Sequence, residues 1–106
     1  MASNESLIRS AIEGKSPVSF HYQGYYREAC PHCLGWKKDA AVVLVYQFGG
    51  EGSQGPVVEL TERNWRVMKL GEIEGLKIAD GTWQTHASYC GPGKKQFDVV
   101  DVFVPY

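Results

Sequence analysis

Val18-Ser19-Phe20-His21-Tyr22-Gln23-Gly24-Tyr25-Tyr26-Arg27 is the stretch that decides the fold of this chain. Val18, Phe20 and Tyr22 alternate with Ser19 and His21, the period of two expected of a strand with one buried face. Gln23-Gly24 reads as a tight turn, so a second strand, Tyr25 to Leu34, returns antiparallel to the first. Pro31 lies inside that second strand and cannot donate a ladder hydrogen bond, which requires an edge, a bulge or a strand end there. The reading therefore expects Cys30, His32 and Cys33 to fall out of regular pairing.

Outward from this hairpin the chain keeps a β character. Before it, Ser3 and Asn4 are N-cap residues and Leu7, Ile8, Ala11 and Ile12 share one helical face, predicting a short amphipathic helix over 4–13 that stops at Gly14 and covers one end of the fold. After it, Lys37-Lys38-Asp39 is a polar turn, and Ala40 to Phe48 is the central strand, apolar on both faces. Gly49 to Pro56 reads as a long mobile loop. Trp65 to Leu70 alternates as a fourth strand with Trp65 and Val67 on one face; Gly71, Ile73 and Gly75 suggest a turn, and Leu76 to Ile78 a brief strand. No element is assigned from Ala79 to Lys95, and Phe97 to Val104 forms the last strand. Phe20, Trp65, Phe97 and Phe103 are expected in the core, with Tyr25, Tyr26 and Trp36 near turns and exposed.

The 106 residues suit a single domain spanning 1–106. About five short strands and one helix predict a mainly β fold, a small partly open barrel, because closure hides sheet edges. With 43% apolar and 22% charged residues the chain is neither disordered nor membrane-spanning, and its longest apolar run, Ala40 to Tyr46, is of strand length. The N-terminus carries no secretory pattern, and three cysteines do not make a disulfide framework; both point to the cytoplasm. A net charge of −1 supplies no global attraction to phosphate, so any nucleic-acid binding needs a local patch.

The motif order Tyr22-Gln-Gly-x-x-Arg27-x-x-x-Pro31-x-x-Leu34, then Val42-Val43-Leu44, then Trp65-Arg66-x-Met68-x-Leu70-x-x-Ile73, resembles the WYL-type domains, Sm-like or SH3-like small β-barrels found mostly in bacteria and their phages. It is closest to the short stand-alone members, with which it shares Pro31-His32-x-x-Gly35 and Tyr46-Gln47-x-Gly49-Gly50, and the resemblance covers about Leu7 to Leu76. Three features depart from the pattern. The naming triplet is Val42-Val43-Leu44, without its aromatic pair, and Gly71-Glu72 stands where an Asp-Arg is expected, removing one basic group. No helix-turn-helix precedes the barrel, so the chain is not by itself one of the family's transcriptional regulators.

The resemblance implies a non-enzymatic binding or regulatory module in which Arg27 and Arg66 grip an anionic ligand, a nucleotide or single-stranded nucleic acid, with Tyr22, His32 and Gln47 completing the pocket. A guanidinium fork engages phosphate or carboxylate in two directions at once. The bland alternative is an arginine paired with Glu28, Glu59 or Glu62 on a solvated face. Independently of the family, Cys30, Cys33, His86 and Cys90 could assemble a Cys3His zinc site; buried free cysteines are the ordinary alternative. Cys30-Pro-His-Cys33 follows a strand rather than opening a helix, which disfavours a redox pair. No nucleophile elbow, phosphate loop or ordered carboxylate pair is present to suggest an enzyme. Exposed Tyr25, Tyr26 and Trp36 near Lys37 and Lys38 would suit base stacking, or equally a homodimer or another protein partner.

Overall fold

Tyr22 and Tyr25 flank a two-residue turn in which Gln23 and Gly24 both take positive φ, 54° and 82°. This turn geometry matches the twist of its flanking strands, and it sets the register of strands β1 (Val18–Tyr22) and β2 (Tyr25–Lys37), pairing Phe20 with Arg27 and Val18 with Ala29. The computed structural model describes residues 3–52, 55–57, 61, 64–89 and 97–104. Within them the fold is mainly β: a curled sheet, with one N-terminal helix packed on it, forms a small partly open barrel.

The long strands β2 and β3 (Ala40–Gly52) form its spine. Strand β1 pairs with the first part of β2, and β7 (Val99–Phe103) with its last part. Strand β5 (Trp65–Lys69) pairs with β3 over Val42–Tyr46, and β6 (Ile73–Ile78) pairs with β1. The curled order is thus β5-β3-β2-β1-β6, and a single 3-10 turn, Leu70–Glu72, links the two outermost strands. Helix α1 (Asn4–Gly14) is capped by Ser3, whose hydroxyl accepts from the Ser6 amide, and ends where Lys15, not Gly14, takes the left-handed conformation. It buries Ile8, Ala11 and Ile12, while the Asn4 side-chain amide donates to the carbonyls of Leu70 and Ile73 and Arg9 pairs with Asp101. Its docking therefore joins the 3-10 turn and β7 to the core.

Alternation along the strands gives the sheet two differently used faces. Inward, Val18, Phe20, Tyr22, Ala29, Leu34, Val43, Val45 and Met68 join the helix residues in the main core. Outward, Cys33, Val42, Leu44 and Phe97 form a second cluster. Gly35 permits this second layer, since a Cβ there would strike the Val99 carbonyl and the Phe97 ring. The segment from Ala79 to Tyr89 has no regular strand yet crosses the outer face with partners, from Ala79 N–H on Pro17 O to Tyr89 Oη on Val104 O.

Several sequence expectations are corrected. Cys30 and Cys33 remain paired, opposite Tyr46 and Leu44; of these three residues only His32 leaves the ladder, in a bulge between Pro31 and Cys33, and a second register shift lies between Glu28 and Ala29. Gly49 to Gly52 is not loop but the end of β3, which folds back onto the two-residue strand β4 (Gly55–Pro56); Ser53 and Gln54 lie outside the described residues. Gly50 is opposite Arg27 with φ 79°, and a Cβ there would strike the Tyr26 carbonyl, so glycine serves close strand approach rather than looseness. Phe103 is exposed, as are Val99 and Val100, because β7 has only β2 as a strand partner among the described residues. Val67 is exposed as well, and Met68 supplies the buried face of β5.

Candidate functional site

Arg27 comes to the concave face by strand alternation, two residues from buried Ala29 and directly across from Phe20. The same parity turns Tyr22 and Tyr25 inward from the hairpin, Gln47 inward from β3 and Arg66 inward from β5, where Arg66 pairs with Val45. The result is a cluster at one end of the barrel. The Arg27 guanidinium carbon lies 5.3 Å from the Tyr22 ring centroid and 5.7 Å from that of Tyr25, within cation–π range. Its Nη1 donates to Gln47 Oε1 at 3.4 Å, while Gln47 Nε2 donates to the carbonyls of Gly49 and Glu51 and so fixes the amide orientation.

The electrostatics of Arg27 are unusual for a side chain only 5% exposed. Its Nε–H is buried with no hydrogen-bond partner, and no described carboxylate pairs with it. Burial, then the nearby Arg66 charge, pull its pKa below the ordinary arginine value, opposed by Tyr22 and Tyr25. It nonetheless stays a cation, since guanidinium is not deprotonated in proteins. Of the bland pairings, Glu28 neighbours Arg27 on the opposite strand face and makes no ion pair with it, while Glu59 and Glu62 lie outside the described residues.

His32 stands apart from this cluster. The bulge turns it to the outer face, where it is fully buried among Trp65, Trp83 and Tyr89, with ring centroids 4.7, 4.8 and 4.9 Å away. Its Nδ1 lies 2.8 Å from the Cys30 carbonyl, which can only accept, so Nδ1 carries the proton and Nε2 accepts from Thr85 Oγ1 at 2.9 Å. Burial pushes its pKa down to about 4, against the weaker opposing pull of the Cys30 carbonyl. A neutral imidazole with both nitrogens satisfied is the outcome.

The proposed zinc ligands occupy this outer layer. Cys30 Sγ accepts from the Gln84 amide at 3.2 Å, and burial pushes that thiol up to about 11. Cys33 Sγ is 3.4 Å from Tyr89 Oη. His86 stacks on Tyr46, and its Nδ1 accepts from the Ser88 amide. Cys90 lies outside the described residues; among the described ones no three His, Cys, Asp or Glu side chains converge as a metal group.

Tyr22, Arg27, Gln47 and Arg66 of the expected site are thus brought together, and His32 is not. Tyr25 is the member that the motif reading left among the turn aromatics. Its signal was in the hairpin itself, since a two-residue turn makes Tyr22 and Tyr25 cross-strand partners on the face of Arg27. Compared with protein-family models, with curated proteins and with solved structures, the chain matches none. No described helix is long and apolar enough to cross a membrane.

Proposed function

We propose that this chain is a non-enzymatic, WYL-like binding module that recognises an anionic ligand, a nucleotide or single-stranded nucleic acid, through Arg27 and Arg66. The observation that carries this reading is the Arg27 guanidinium, buried against Tyr22 and Tyr25 with an unpartnered Nε–H and no described carboxylate. A buried charge is ordinarily paired, because desolvation is otherwise uncompensated. An incoming phosphate or carboxylate would supply the missing acceptor and relieve the repulsion from Arg66. Gln47 holds the guanidinium in place, and the exposed Tyr26 offers a stacking surface beside the hairpin.

Replacing Arg27 and Arg66 together with alanine is expected to leave a cooperative melt and to abolish the thermal stabilisation produced by ATP or by an oligothymidylate. An unchanged ligand response in that variant would sink the reading. A second reading, a protein-interaction module that pairs with a partner or a second copy, rests on the exposed Val99, Val100 and Phe103 of β7. A monomeric sedimentation profile at high protein concentration would count against the self-association form of it.

A further inference from the structure

At the opposite end of β2 and β3 from Gly50, the hairpin forms a second concavity that the arginine cluster does not share. Lys37 pairs with Ala40 and Val42 with Lys69, and all four lie on the outer face of the sheet, closed at one end by the Lys38-Asp39 turn. They line an open cleft of about 530 Å³ together with Lys38 and Asp39. That volume falls within the roughly 300–1,000 Å³ of small-molecule sites. Its floor is apolar: Val42 is 4% exposed and continuous with the outer cluster of Leu44 and Phe97.

The charge around that floor is specific. Lys37 is held 3.6 Å from Asp98, whose other oxygen accepts from the Lys38 amide and so fixes the turn. Lys38 and Lys69 make no ion pair with any described residue, and the Lys69 amide is anchored on Tyr22 Oη at 3.2 Å. Among the described residues three lysines against Asp39 and Asp98 leave one net positive charge. Among the described residues no arginine fork and no aromatic ring lines the cleft, so these residues do not supply the groups that grip phosphate bidentately or stack on bases. An apolar floor with one net ammonium charge at its rim complements an aliphatic chain ending in one carboxylate.

We propose that this cleft is a second binding site, independent of the arginine cluster, for a small aliphatic monocarboxylate. The alkyl chain lies on Ala40 and Val42, and the carboxylate meets the Lys38 and Lys69 ammonium groups. Nuclear magnetic resonance titration with octanoate tests it, with octanol and inorganic phosphate as the tail-only and head-only probes. Octanoate should saturably shift the amides of Lys37 to Val42 and of Lys69, and each control should bind those positions at least about tenfold more weakly. The exposed-site variant K38E/K69E should melt as the parent does and lose about tenfold or more in octanoate affinity. Should that double variant melt lower, Lys69→Ala alone decides the matter, with a loss of about threefold or more expected. Octanoate shifts confined to other residues, equal binding of octanol or phosphate, or charge variants that bind octanoate like the parent would each overturn the proposal.

Discussion

Two basic side chains are buried on opposite faces of one sheet, and they are treated in opposite ways. His32 gives up its charge, places both ring nitrogens in hydrogen bonds and packs among three aromatic rings. Arg27 cannot give up its charge; it keeps an unsatisfied Nε–H and faces a second arginine. A fully satisfied polar network fixes structure, whereas a partly satisfied one is retained at a cost in stability. The outer face therefore holds the irregular 79–89 segment in place, whereas the concave face keeps a buried charge with no described carboxylate partner.

Removing the satisfied group should have the larger effect. His32→Ala deletes two buried hydrogen bonds and opens a cavity among the rings, and should cost about 3 kcal/mol in a chemical-denaturation series. Acid should reproduce that loss without a mutation. The His32 pKa is about 4 in the fold against an ordinary 6.5, so the unfolded chain takes the proton first. Its contribution is complete above pH 6.5, declines as pH falls from there to about 4, and then levels; the total is about 3 kcal/mol. Stability curves over that window should be flatter in His32→Gln by about the same amount, and parallel curves would refute the assignment.

Gly50→Ala comes next, at about 2 kcal/mol, because it forces a side chain into a positive-φ position against the Tyr26 carbonyl, beside the arginine cluster. Denaturation midpoints equal to the parent's would show that β3 relaxes there freely. At the small end, Phe103→Ala on exposed β7 should change stability by under about 1 kcal/mol, whereas Phe20→Ala in the core should cost about 3 to 5 kcal/mol.

The concave face was largely legible in the sequence, and the outer face was not. Alternation from Val18 through Arg27, with one two-residue turn, determines which side chains share the inner surface, because period two and turn length are local properties. Gln47 and Arg66 follow from the same parity once β3 and β5 are recognised. His32 could not be placed that way, since a bulge of one residue reverses facing and its position depends on long-range pairing with β3. The Gly49–Gly52 strand end was obscured for a related reason: glycine signals looseness by composition, but here answers a steric demand from Tyr26 across the ladder. The exposure of Phe103 was likewise invisible, because hydrophobicity alone does not say whether a strand lies at an edge.

The central claim is that Arg27 is kept for a ligand rather than for the fold. Arg27→Met, which preserves much of the stem while removing the buried charge, tests it most directly by calorimetric melts with and without ATP or oligothymidylate. The account predicts stability within about 1 kcal/mol of the parent, or higher, together with loss of the ligand-induced rise in Tm. A variant destabilised by about 3 kcal/mol or more that still gains stability from the ligand would contradict it.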